Sequence, residues 1–254
     1  MKVTLVQTDL IWEDKTANLD KLAEQFSLQS FDTDLVVLPE MFTTGFSMNP
    51  SPLAEEMSGP TLKWLSKQAA KLDAAITASF IAEVDGLFYN RLIWMFPDGT
   101  YQHYDKRHLF TLAGEHEHYT AGADRLLIEW KGWKICPLIC YDLRFPVWSR
   151  NNAKYDLLLY VANWPARRRH HWQSLLVARA IENQAYTIGV NRVGKDGKDI
   201  NYSGDSCLID YAGETRVKLA YQETFLTVSL DKPSQDAYRE KYAFLADQDS
   251  FQLL

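Results

Sequence analysis

Cysteine is scarce in this chain of 254 residues. There are three, an odd number, which excludes a disulfide-built scaffold and suits a reducing compartment. Long apolar runs are missing as well: no stretch reaches the roughly 18 residues that a membrane-spanning helix needs. The opening MKVTLVQTDLIWEDK meets Asp9 and Glu13 before any cleavage signal. These absences predict a cytoplasmic protein with no membrane partner. Charge of one sign is not in large excess either. The formal net charge of −6 offers no global field to nucleic acid, and ARRRHH at 166–171 is only a local basic cluster. No repeat, low-complexity linker or shift of composition divides the sequence, so 1–254 reads as a single domain.

What is present is an ordinary globular composition, 46% hydrophobic and 24% charged, with eight Trp and thirteen Tyr to build a core. VTLVQT (3–8) reads as a strand, and Leu19, Leu22, Ala23 and Phe26 then recur at helical spacing. DLVVLPE (34–40) is a continuous apolar run of the kind buried on both faces of a sheet, and it leaves Glu40 at its end. Pro60 opens a second helix with Leu62, Leu65, Ala69 and Leu72 on one face. A β-meander follows, with hairpin turns at Asp85-Gly86 and Pro97-Asp98-Gly99, and it ends at Lys106. Residues 107–125 show no sustained period and read as an ordered loop. Another hairpin, RLLIEW to WKICPLIC, delivers Cys140 to the end of a strand. YDLLLYVAN is a further buried strand, 170–184 a helix, AYTIGVNRV a strand, SCLIDYAGE and ETFLTVSLD two more, and SQDAYREKYAF a polar tail. Alternating helices and strands predict an α/β fold, and more strands than one sheet usually holds predict two sheets between helical layers.

Glu40, Lys106 and Cys140 each fall where a predicted strand runs out, the place where α/β folds build their sites. An acid, a cation and a nucleophile would meet there. A free thiol has a pKa near 8.5, so Cys140 needs a base or a positive field to act at neutral pH. A metal is the poorer reading of the Cys136–Cys140 pair with His116, His118, His170 and His171. Four residues along a strand span about 13 Å, too far for two thiolates to share one ion. Two other readings compete: a cysteine–histidine hydrolase using His116 or His118, and an interaction protein that has kept an enzyme's fold. Arg144 with Asp142 reads as a structural pair beneath the nucleophile turn. Arg179 with Glu182 reads as a buried ion pair, and Cys136 and Cys207 read as core.

LPEMFTTGF around Glu40, YDKRHLF around Lys106 and ICYDLRFP around Cys140 resemble, in order and spacing, the three signature blocks of the nitrilase superfamily of carbon-nitrogen hydrolases. With ANWP (162–165), RAIENQAY (179–186) and YSGDS (202–206), the resemblance covers nearly the whole chain. CYD after the nucleophile resembles the amidase branches, and CYDLRFP with ANWP is similar to bacterial omega-amidases. The resemblance implies a four-layer α-β-β-α sandwich and a Glu40-Lys106-Cys140 triad. Cys140 would attack, Glu40 would carry protons, and Lys106 with the backbone N–H of Tyr141 would hold the oxyanion. Glu115, seven residues before Gly122, matches a second glutamate that orients Lys106 or the incoming amide. No metal and no organic cofactor is implied. The implied substrate is a small amide bearing a carboxylate, such as 2-oxoglutaramate or 2-oxosuccinamate. A nitrile, a carbamoyl amino acid or an aliphatic amide is the alternative.

Arg167, with Arg168, Arg169, His170 and His171 beside Trp164, is expected to meet the substrate carboxylate, and Phe42 and Phe46 to form apolar walls. The resemblance also implies a homodimer with the C-terminal segment taking part. The apolar tail residues Phe244, Leu245, Phe251, Leu253 and Leu254 would need such a cover. Val147 departs from the family pattern, in which an acidic residue often follows RFP.

Overall fold

The structure is a computed structural model that describes residues 1–29 and 32–252. Strand β1 (Lys2–Gln7) leads into helix α1 (Lys15–Ser27), whose first turn is capped by Asp14 accepting from the Ala17 amide at 2.9 Å. β2 (Leu35–Val37), α2 (Pro50–Leu53) and α3 (Pro60–Leu72) follow, α3 beginning with its proline where no amide is needed. The meander is β3 (Ala75–Val84), β4 (Leu87–Met95) and β5 (Tyr101–Asp105). Its first turn has φ of 52° at Asp85 and 75° at Gly86, the left-handed pair that a two-residue hairpin requires.

The second half runs α4 (Glu115–His118), β6 (Ile128–Trp130), β7 (Trp133–Ile139), α5 (Pro146–Ser149), β8 (Leu157–Ala162), α6 (Arg169–Asn183) and β9 (Tyr186–Asn191). The hairpin β10 (Val193–Lys195) and β11 (Asn201–Ser203) stands apart. β12 (Cys207–Ile209), β13 (Thr215–Lys218), β14 (Thr224–Ser229) and α7 (Lys232–Lys241) close the chain.

Two six-stranded sheets result, ordered β14-β1-β2-β3-β4-β5 and β13-β12-β9-β8-β7-β6. Each has a parallel centre, β1-β2-β3 in one and β7-β8-β9 in the other, with antiparallel flanks. The period of two along a strand sorts side chains between layers. Val3, Leu5, Leu35 and Val37 turn inward to meet Ile135, Leu157, Leu159 and Ile188 of the other sheet. Val6, Val36 and Ile76 turn outward onto Leu22 and Phe26 of α1 and Leu65 of α3. Trp172, Leu176 and Ala180 of α6 cover the second sheet. This is the α-β-β-α sandwich, and it explains why the central strands read as unbroken apolar runs: both of their faces are buried.

Two segments carry more structure than their patterns suggest. The expected loop at 107–125 contains a 3₁₀ turn (Thr111–Ala113) followed by α4. The polar tail forms α7, capped by Asp231. Its buried contacts are themselves polar: Gln235 donates to the Asp156 and Gln184 carbonyls at 2.8 and 3.3 Å, and Arg239 to the Gln184 carbonyl at 2.7 Å. Leu253 and Leu254 lie outside the described residues. Among the described residues no helix is long and apolar enough to cross a membrane.

Candidate active site

The C-terminal ends of β2, β5 and β7 open toward one another across the two sheets. The chain leaving β2 presents Glu40, Lys106 follows β5, and Cys140 follows β7. Glu40 and Lys106 are fully buried, and the Lys106 ammonium donates to Glu40 Oε1 at 2.9 Å and to both oxygens of Glu115 at 2.9 Å. Glu115 sits at the start of α4 and also accepts from the Phe110 amide at 2.6 Å. Asn90, in the middle of β4, reaches both carboxylates with one nitrogen: Nδ2 lies 2.8 Å from Glu40 Oε1 and 3.2 Å from Glu115 Oε1. The other Glu40 oxygen accepts from the Asn163 backbone amide at 2.8 Å, and the Asn163 side chain bonds the Glu40 carbonyl. Glu40 is therefore held from both sheets.

Cys140 occupies a sharp strand-to-helix turn with φ of +41°, a left-handed conformation that a residue with a Cβ adopts only under constraint. Asp142 supplies that constraint. Its carboxylate accepts from the Ile139 amide at 3.0 Å, the Tyr104 hydroxyl at 2.7 Å and the His108 amide at 3.1 Å, with the His108 ring at 2.8 Å. Those donors occupy Asp142, so the expected pair with Arg144 does not form. Arg144 lies instead over the Trp164 ring, 4.8 Å from its centroid. Arg179 and Glu182 do pair, at 2.8 Å, and Cys136 and Cys207 are buried.

The charges at the site tilt negative, with two carboxylates about one ammonium. Burial alone would drive the Lys106 proton off, but Glu115 and Glu40 outweigh it and hold the ammonium well above its usual range. Burial, reinforced by Glu40, raises Glu115 against the pull of Lys106. Burial and the Glu40 carboxylate likewise push the Cys140 thiol well up, with Lys106 opposing only in part. These surroundings favour the thiol over a preformed thiolate. Its proton must leave as it attacks, and the neighbouring acceptor is Glu40.

Cys140 and Lys106 open into a cavity of about 250 Å³. Phe46, Tyr141 and Trp164 line it, Phe46 with its ring 5.0 Å from the Lys106 nitrogen. Arg167 reaches the rim but is exposed to solvent. Phe42 does not line the cavity. It is fully buried in the helix–sheet layer against Trp64, with ring centroids 5.8 Å apart, because its backbone turns it outward just past β2. His116 and His118 are exposed on α4, whose inward residue is Glu115. Asn90, Asn163 and Tyr202 were not singled out in the sequence, and Arg144, read there as a structural pair, lines the cavity with Arg168 of the basic cluster. Asn90 was visible as the polar interruption of the apolar run FYNRLIW, and Asn163 as the strand-end residue of ANWP.

A thiol on a constrained turn, beside a buried ammonium bracketed by carboxylates, defines with this sandwich a class of thiol hydrolase. The chain belongs to the carbon-nitrogen hydrolase family, whose profile it matches over residues 2–240. It is 48% identical over 258 residues to an omega-amidase, YafV, of Yersinia enterocolitica, covering 100% of this chain and 99% of that one. It is 32% identical to a 2-oxoglutaramate amidase of Bacillus subtilis, covering 96% of each. A carbon-nitrogen hydrolase superfamily protein of Xanthomonas campestris, whose crystal structure carries an arsenic adduct in the active site, superposes with a TM-score of 0.97 at 44% identity, covering 100% of this chain and 99% of that one.

Proposed function

We propose that this chain is an omega-amidase, releasing ammonia from the terminal amide of a small carboxylate-bearing substrate such as 2-oxoglutaramate or 2-oxosuccinamate. The observation that carries the reading is the polarity of the cavity. Cys140 and Lys106 line one part of it, with Glu40 and Glu115 buried behind Lys106, and Asp196 on its wall is taken up by the Tyr202 hydroxyl; Arg144 and Arg168 also line it, and neither has a carboxylate partner among the described residues. Arg168 stacks 5.2 Å from the centroid of Phe110, and burial together with Arg167 and Arg144 disfavours its charge. Such a cluster of guanidinium groups calls for an anion. A substrate with an amide at one end and a carboxylate at the other fits only one way round. Named relatives, the omega-amidases and the 2-oxoglutaramate amidase, support the same choice.

In this reading Cys140 Sγ attacks the amide carbon while Glu40 takes the thiol proton. Lys106 and the Tyr141 backbone N–H donate to the developing oxyanion, whose stabilisation is the largest single contribution in reactions of this type. Glu40 returns the proton to the leaving nitrogen, ammonia departs, and a thioester remains. Glu40 then takes a proton from water as the water attacks the thioester carbon. Collapse releases the carboxylic acid and restores the thiol. Glu115 fixes the ammonium of Lys106 against Glu40.

The test is ammonia release from 2-oxoglutaramate against glutamine, propionamide, a carbamoyl amino acid and a simple nitrile. The first is expected to lead in kcat/KM, and preference for any of the last three overturns the substrate. Arg168→Met should raise KM for 2-oxoglutaramate by about ten- to a hundredfold, the worth of a charge-assisted hydrogen bond, and leave propionamide unaffected. The chain is further read as a homodimer. Val147 and Phe244, 50% and 60% exposed, flank one groove beside α5 that a second copy would cover, and sedimentation at micromolar concentration tests it.

A further inference from the structure

We propose that Asn90 is a positioning residue that ties Glu40 and Glu115 to one side-chain amide and so aims Glu40 at the Cys140 thiol. The inference rests on the reading of Glu40 as the proton acceptor. The side chain is fully buried, and its nitrogen faces an oxygen of each glutamate at 2.8 and 3.2 Å. The amide orientation is dictated by those neighbours, since turning it over would set its oxygen against two carboxylates. Its own Oδ1 is buried with no hydrogen-bond partner among the described residues. A buried orphan acceptor is destabilising, and leucine, of similar size, would avoid it opposite the buried Ile81 of β3 and two residues from the buried Leu92. The position therefore trades stability for a donor placed between two acids. Its backbone serves the same cluster: the Asn90 carbonyl accepts from the Lys106 amide at 3.0 Å, setting where the lysine leaves β5.

The charged and titratable groups about Asn90 come from every side. They are Glu40 after β2, Lys106 after β5, Glu115 on α4, Tyr119 just past α4 and Cys140 at the end of β7. Only Lys106 is a cation among them. Without the Asn90 donor, Glu40 Oε1 keeps Lys106 alone, its carboxylate is freer to turn from the thiol, and the two acids repel across one ammonium. A carboxylate that loses a donor to its ionised form holds that form less firmly. Activity would then be lost toward acid at a higher pH than in the wild type.

The experiment is the pH dependence of kcat and KM for Asn90→Leu beside the wild type and Glu40→Gln. The expected result is a kcat lower by about 10², a KM within about threefold, and an acid limb moved to higher pH. The deficit should shrink as pH rises. A uniform fall at all pH values with the limb unmoved, or a kcat close to wild type, overturns the proposal. Should Asn90→Leu not fold, Asn90→Ser, which keeps a shorter donor, is read in the same way and should show a smaller shift in the same direction. A fully active Glu40→Gln, or a wild type without an acid limb, would instead remove the Glu40 reading and this inference with it.

Discussion

At Cys140 the thiol is kept protonated by the same burial that shelters the reaction, so reactivity there depends on an acceptor in place and not on a low pKa. Cys140→Ala is expected to abolish ammonia release with an unchanged melting curve, since the side chain sits at a cavity floor, and trapping should find an acyl adduct on Cys140 alone in the wild type. Glu40→Gln is nearly isosteric and should lose about 10² or more in kcat. Lys106→Met should lose at least as much. It also strands Glu40 and Glu115 as buried acids without their counterion, so its stability should fall by about 3–5 kcal/mol, readable as a lowered denaturation midpoint. Of these residues, Glu40 and Cys140 were legible because each closes an apolar run, and Lys106 because it ends the meander that the hairpin turns mark out. Asn90 was harder to see, because a polar residue beside Arg91 in an otherwise apolar run reads as an imperfection until its partners, distant in sequence, are known.

At the scale of elements, the β10–β11 hairpin forms one cavity wall through Ile200 and Tyr202 and is pinned to the start of the chain. Arg192 donates to Asp9 Oδ1 at 2.6 Å, and Gly194, with φ of +82°, leaves room for that carboxylate. A Cβ at Gly194 would lie 2.1 Å from Asp9 Oδ1. Gly194→Ala should therefore push the hairpin off Asp9, raising KM more than it lowers kcat and costing about 1–3 kcal/mol of stability, as titrations with substrate and with denaturant would show. The Asp85-Gly86 hairpin was readable because its turn chemistry is local. Helix α7 was not, because it packs through Gln235 and Arg239 onto the carbonyls of Asp156, just before β8, and Gln184, just after α6, and so lacks an apolar stripe.

For the whole molecule, the two sheets share one core, with Trp94 of β4 packed among residues of both. We therefore expect a single cooperative unfolding transition from residues 1–254 acting as one domain. Trp94→Ala should lower that transition by about 3–5 kcal/mol, seen alike by fluorescence and circular dichroism. Separate transitions for the two sheets would argue for two domains.

The long helices α1, α3 and α6, most strands of the two sheets, the burial of the central strands and the three residues at strand ends were determined by the sequence itself. These follow from periodicity, turn residues and apolar runs, all of which act between near neighbours. The tertiary structure alone decided which arginines face the cavity, that Phe42 is core, that Asp142 braces the nucleophile turn rather than pairing with Arg144, and that one asparagine spans two glutamates. Each of these depends on groups brought together from strands of different sheets or from loops far apart in the chain. No local pattern encodes such a meeting, because the partners become neighbours only when the sheets close on each other.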